Sequence, residues 1–175
     1  FSKLYRYSDS LSMWENNTDI IYRIVDNKTI IPRYKINITS NKIPFEVLKS
    51  KDFMQNLDYY YYYNVFEVEK YFFFNGLNER LRRQIVYDKQ KKNSYYLENG
   101  FINDIDGGLP FWPRDITNNG NLISYIDIIE IKRHLQKQTV SQNKVKTLCD
   151  NSNLLEILKR SKIDDNPILV IVRLK

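Results

Sequence analysis

The stretch DIIYRIVDNKTIIPRYKIN, residues 19–37, decides how the rest of the chain is read. An apolar run (Ile20, Ile21, Tyr22, Ile24, Val25) meets a polar turn at Asp26, Asn27 and Lys28, and a second run returns through Ile30, Ile31, Tyr34, Ile36 and Ile38. From Tyr34 onward the period is two, with Tyr34, Ile36 and Ile38 on one side and Lys35, Asn37 and Thr39 on the other. Two β-rich runs about a polar turn predict a β-hairpin. Pro32 has no amide hydrogen to give to a ladder, so the returning strand is expected at a sheet edge or a bulge.

Upstream, Leu4 and Tyr5 alternate with charged neighbours, the polar group Ser8-Asp9-Ser10 follows, and Leu11, Met13 and Trp14 supply another short run. The opening 39 residues therefore predict a meander of short strands with tight connections. Downstream, residues 41–58 are less regular, and Phe45, Leu48, Phe53 and Leu57 predict a loop containing a helical turn.

Residues 59–63 are five consecutive tyrosines. Alternation divides their rings between the two faces of a strand. A half-buried strand whose hydroxyls reach water is the simpler reading; an aromatic platform for a sugar or a base is the functional one. Residues 65–74 read as one strand, Asn75-Gly76 as a turn, and residues 81–87 and 94–97 as two more strands about a turn at 88–93. That makes a three-stranded meander. Its segment IVYDKQKKNSYYL, residues 85–97, repeats the logic of the opening hairpin: aromatic-bearing strand, charged turn, aromatic-bearing strand. More than 60 residues separate the copies, so an insertion such as 41–58 must lie between them.

Residues 101–113, FINDIDGGLPFWP, combine a flexible Gly107-Gly108 pair with Pro110 and Pro113, which stiffen the exit. Asp104 and Asp106 could form a calcium loop or an acid/base pair. The stretch lacks the ligand series of an EF-hand, and a rigid loop whose side chains cap its own backbone is simpler. Beyond a turn at 115–121 and a strand at 121–126, the period changes: Ile128, Ile131 and Leu135 predict a helix. Residues 136–143 read as loose, and 153–161 as a second helix with Leu154, Leu155 and Leu158 on its apolar face. The run ILVIVRL, residues 168–174, predicts a strand too apolar for an open edge, hence one inserted between partners.

The 175 residues are 42% apolar, with 14 Tyr and 9 Phe, enough for a core and contrary to global disorder. The net charge of +6 is dispersed. Its densest groups, Lys89, Lys91 and Lys92 at a turn and Arg80, Arg82 and Arg83 in a strand, read as solvated faces rather than a nucleic-acid surface. Cys149 is the single cysteine, which excludes an intrachain disulfide. His134 is the single histidine and has no neighbouring ligand residue in the sequence. No metal site and no cofactor are expected. No apolar run is long enough to span a membrane. The chain opens on a strand-like stretch without an initiator Met, as expected for the C-terminal part of a longer protein.

Four places resemble the six-bladed β-propeller family of Bacteroidetes secreted lipoproteins. They are Asp19-Ile20-Ile21-Tyr22-Arg23-Ile24, where the family has a D-T-I-Y-like strand, and Pro32-Arg33-Tyr34 with the alternation after it. The others are Asn103-Asp104-Ile105-Asp106-Gly107-Gly108 with Phe111-Trp112-Pro113, and the closing Asn166-Pro167-Ile168-Leu169-Val170 with Leu174-Lys175. Ile20 stands where Thr is commoner in the family, and residues 41–63 are idiosyncratic. The resemblance implies an all-β fold, about half of a six-bladed propeller built of antiparallel meander blades, with residues 1–175 as the C-terminal part of a single domain. It also implies a bacterial cell-envelope location, periplasmic or at the outer membrane, through a lipid anchor outside this segment. The family has no established activity, so no functional residue transfers.

The leading functional expectation is a non-catalytic binding or scaffold domain for a peptide or glycan, with Trp112, Phe111 and Tyr61 as aromatic surfaces. A carboxylate-dependent hydrolase or lyase at the propeller funnel, using Asp104 and Asp106, is the alternative. Nucleic acid is not an expected partner.

Overall fold

The computed structural model describes residues 2–15, 18–37, 43–50, 59–78, 81–103, 109–141 and 153–174. They form an all-β protein of several short antiparallel sheets with minor helices. The chain divides into two compact units, Phe1–Glu98 and Asn99–Lys175.

In the first unit β1 (Ser2–Tyr7), β2 (Ser10–Glu15), β3 (Ile20–Ile24) and β4 (Ile30–Lys35) pair in sequence order, each antiparallel to the next. The expected hairpin is β3–β4. Pro32 lies on β4, an outer strand of this sheet among the described residues, opposite Tyr22. The register shifts at Ile21 and Tyr22, which leaves Arg33 as the extra residue of a bulge. Both features expected of Pro32 are therefore present together.

After one helical turn, α1 (Phe45–Lys49), a second four-stranded sheet follows: β5 (Tyr61–Glu67), β6 (Tyr71–Asn78), β7 (Leu81–Asp88) and β8 (Asn93–Leu97), again in sequence order. Two expectations are corrected here. Residues 65–74 are not one strand: the chain reverses at Val68, whose amide donates to the Tyr71 carbonyl at 2.9 Å, with Glu69 and Lys70 exposed. Asn75-Gly76 is not a turn but the buried middle of β6. Gly76 is there because a Cβ would sit 2.9 Å from Cδ1 of Tyr62 and 3.0 Å from the Tyr61 carbonyl oxygen. A strand glycine marking a close approach has the same appearance in sequence as a turn glycine.

The repeat seen in the sequence is a structural one. The hairpins β3–β4 and β7–β8 are the third and fourth strands of their sheets. Asp26 Oδ1 accepts from the amides of Lys28 and Thr29, each at 2.8 Å, and Asp88 Oδ1 from those of Gln90 and Lys91, each at 2.9 Å. Each aspartate thus closes its turn with its own side chain. The core of the unit joins both sheets: Trp14, Ile21, Val65, Phe72 and Phe74 form one cluster, with Tyr34, Tyr62, Ile85 and Tyr87 packed against it. Burying each large side chain of this kind is worth roughly 1.5–3 kcal/mol.

In the second unit β9 (Asp115–Ile116), β10 (Leu122–Ile126) and β11 (Ile168–Val172) form an antiparallel sheet in the order β11-β10-β9. Ile128 and Ile131 of α2 (Ile128–Ser141) and Leu158 of α3 (Asn153–Arg160) make a buried cluster with Leu109, Ile126 and Ile168 against it. Residues 136–141 continue α2 instead of forming the loose stretch expected, since Gln and Lys are good helix formers. His134 lies half-buried on this helix. β11 pairs along its length with β10 but is an outer strand among the described residues, with Leu169 60% and Ile171 56% exposed. The expected second partner is not among those residues. Cys149 and Arg80 also lie outside them.

Candidate binding site

Strand period sorts the tyrosine run. Tyr60 and Tyr62 stack at 6.5 Å between centroids, and Tyr61 and Tyr63 stack at 6.4 Å, one pair on each face. Tyr60 and Tyr62 open onto a cavity of about 540 Å³ within the first unit. Its floor reaches Ile21, Phe72 and Phe74 of the core, Tyr34 and Tyr87 add two more rings, and Lys35, Asn37 and Ser94 are among its polar lining. The volume is in the range of small-ligand pockets, which combine apolar and aromatic walls with a few polar groups. Burial and the neighbouring Tyr60 push the Tyr62 hydroxyl pKa upward, so this phenol stays a neutral donor.

Two cavity rings also touch a buried charge cluster. Tyr34 meets Phe72 edge-on at 4.9 Å. The Arg33 guanidinium lies 4.8 Å from the Tyr34 centroid, and the Lys89 ammonium 4.6 Å from that of Phe72 and 4.4 Å from that of Tyr7. Both cations bond the fully buried carboxylate of Glu67, Arg33 Nη1 to Oε2 at 2.9 Å and Lys89 Nζ to Oε1 at 2.8 Å. The Tyr5 hydroxyl donates to Oε2 at 3.0 Å, and Arg33 Nη1 also donates to Ser12 Oγ at 3.0 Å. Burial raises the Tyr5 pKa, reinforced by the Glu67 charge, whereas burial lowers that of Lys89. The cluster ties β1, β2 and β4 of the first sheet to β5 and the β7–β8 turn of the second.

The residues singled out in the sequence fall elsewhere. Tyr61 is on the face opposite the cavity-lining pair. Phe111 and Trp112 are buried, at 6% and 9% exposure, with Trp112 stacked on Phe101 at 5.9 Å and the Phe101 and Phe111 backbones bridged. Rings so enclosed have little face left for a ligand. Gly100, at φ +86°, allows this approach, because a Cβ there would come within 2.6 Å of the Phe111 carbonyl oxygen. Asp104 and Asp106 lie outside the described residues. Among the described residues, no three His, Cys, Asp or Glu side chains converge as metal ligands would. Nor is any helix there long and apolar enough to cross a membrane. The Glu67 cluster escaped the sequence reading, although a lone carboxylate inside the apolar run NVFEV was its visible sign.

Two four-stranded antiparallel meanders, with a third short sheet and minor helices, define an all-β protein. The chain belongs to the family described as Domain of unknown function (DUF4934), whose model matches residues 1–173. Its fold is similar to that of a solved protein from Bacteroides fragilis NCTC 9343, provisionally described as exported, with a TM-score of 0.69 at 20% identity. That likeness covers 98% of this chain and 49% of the other, so the chain spans about half the length of the structure it matches. No curated protein matches it.

Proposed function

We propose that the chain is the C-terminal half of a six-bladed β-propeller of the bacterial cell envelope, acting as a non-catalytic binding domain for a glycan. The observation that carries the binding role is the cavity of about 540 Å³ walled by Tyr34, Tyr60, Tyr62 and Tyr87. Tyrosine offers an apolar ring face and a hydroxyl at once. A sugar ring presents C–H faces and hydroxyls in the same combination, whereas an extended peptide needs a long groove or an open strand edge. The two consecutive four-stranded meanders support the propeller reading, since such meanders are what a propeller repeats. The exported relative of similar fold supports the envelope location. A lipid anchor outside this segment would account for membrane attachment.

The test is a titration calorimetry screen of the chain against a panel of neutral and acidic oligosaccharides. Binding that weakens at least about tenfold in Tyr60→Ala, a loss of about 1.4 kcal/mol, supports the cavity as the site. Binding indifferent to Tyr60→Ala places the glycan elsewhere, and no binding across the panel removes the glycan reading.

A further inference from the structure

We propose that β8 is a self-association edge, along which a second copy of this chain lays its own β8, antiparallel, about a two-fold axis at Tyr95. Among the described residues the end strands of the two sheets of the first unit are β1, β4, β5 and β8. β1 and β5 are joined to each other, Tyr5 to Glu67 at 3.0 Å and the Lys3 ammonium to Asn64 Oδ1. β4 is interrupted by Pro32 and its bulge. β8 carries none of the usual guards of an edge. Asn93-Ser94-Tyr95-Tyr96-Leu97 holds no charge and no proline, its register with β7 runs unbroken, and it is exposed from Asn93 to Tyr96.

The residues of this edge point to a second copy as its occupant. Across KNSYYLE, residues 92–98, a two-fold axis at Tyr95 sets Ser94 opposite Tyr96 of the second copy, Asn93 opposite Leu97, and Lys92 opposite Glu98. Lys92 and Glu98 are both exposed. The pairing therefore gains an ammonium and a carboxylate face to face at each end, and within this stretch it sets no like charges together. A parallel pairing would do the opposite, with Lys92 beside Lys92 and Glu98 beside Glu98. Tyr95 stands opposite its own copy on one face of the joined sheets, an aromatic pair of the kind that stabilises neighbouring strands. Tyr96, on the other face, is held toward β7: Arg83 Nη1 donates to its hydroxyl at 3.0 Å, and the guanidinium lies 5.3 Å from its ring centroid. The Ser94 amide donates to Asn93 Oδ1 at 2.9 Å, so it is capped by a side chain, and a ladder bond from the second copy can take that place. Because the same edge is used up in both copies, assembly closes at two chains.

Sedimentation velocity on the whole chain, at concentrations up to about 1 mM, is expected to show a reversible monomer–dimer equilibrium. Tyr95→Lys sets two ammonium groups together at the axis and should leave only monomer. Its melting temperature should change little, because Tyr95 is 41% exposed. Lys92→Glu or Glu98→Lys alone places like charges at both ends and should weaken the dimer about tenfold, less so in added salt. The two reversals together should restore it. A chain that stays monomeric over the whole range overturns the inference and leaves the edge to a strand of another protein. A dimer that survives Tyr95→Lys overturns it as well, since the contact then lies away from β8. So does a dimer that the double reversal fails to restore, since the strands then meet out of this register.

Discussion

The Glu67 carboxylate and the Arg33 guanidinium meet at 2.9 Å across the two four-stranded sheets of the first unit. Arg33 reaches Glu67 from the bulge in β4. With Lys89 on the other carboxylate oxygen, one buried acid holds two largely enclosed cations, and removing it takes the buried counter-charge from both, leaving the exposed Glu69 to act on Lys89. Glu67→Gln is expected to cost about 3–5 kcal/mol. Urea unfolding at neutral pH measures it, and a loss under about 1 kcal/mol would show the cluster to be solvated after all.

Alkaline stability follows from the tyrosines. An unfolded tyrosine releases its proton near pH 10. Folded Tyr5 holds its proton well beyond that, through burial and then the Glu67 charge. Above about pH 10 the folded state thus binds more protons than the unfolded one, and stability falls as pH rises. Tyr7 and Tyr62 act in the same direction. Lys89 opposes them: its pKa is lowered by burial, so the cost of keeping it charged disappears as pH rises toward its unfolded value of 10.5. Tyr5→Phe should flatten the loss measured by urea unfolding between pH 9 and 11.

Gly76 sits under the Tyr62 ring and against the Tyr61 carbonyl. Gly76→Ala drives a methyl into both contacts, and the backbone oxygen cannot swing aside as a ring can. A loss of about 1–3 kcal/mol is expected, as for other overpacked positions. Adding Tyr62→Ala should recover only part of it in thermal melts.

Trp112 is buried and stacked on Phe101 within the second unit. Trp112→Ala should cost about 3–5 kcal/mol. Phe101→Leu, which keeps bulk but loses the stack, should cost less. Equal melting temperatures for Trp112→Ala and the parent would show that the ring does not hold this loop.

What could be read from the sequence was set by periodicity. β3–β4 and β7–β8 were visible because β-rich runs flank a polar turn, and the aspartates that close both turns stand in that pattern. The reversal at Val68 was invisible because Glu69-Lys70 contains neither Gly nor Pro and the apolar residues on either side read as one run. Gly76 misled because its reason lies on the neighbouring strand. The parity of the tyrosine run was legible, but that Tyr60 and Tyr62, rather than Tyr61, face the cavity depends on pairing with β6. The charge cluster joins Glu67 to residues 34 and 22 positions away, and only folding brings them together.

Pro32 has a consequence for molecules in company. The outer strand β4 would otherwise offer a row of backbone donors and acceptors to any extended chain that came alongside. At Pro32 the row lacks a donor, and one residue later the bulge at Arg33 throws the spacing out of step. A neighbouring copy laying its own strand along this side would lose its match within a few residues. At the high local concentrations of a crowded compartment, this is a brake on polymerisation through the first sheet, built from a single imino acid and one surplus residue.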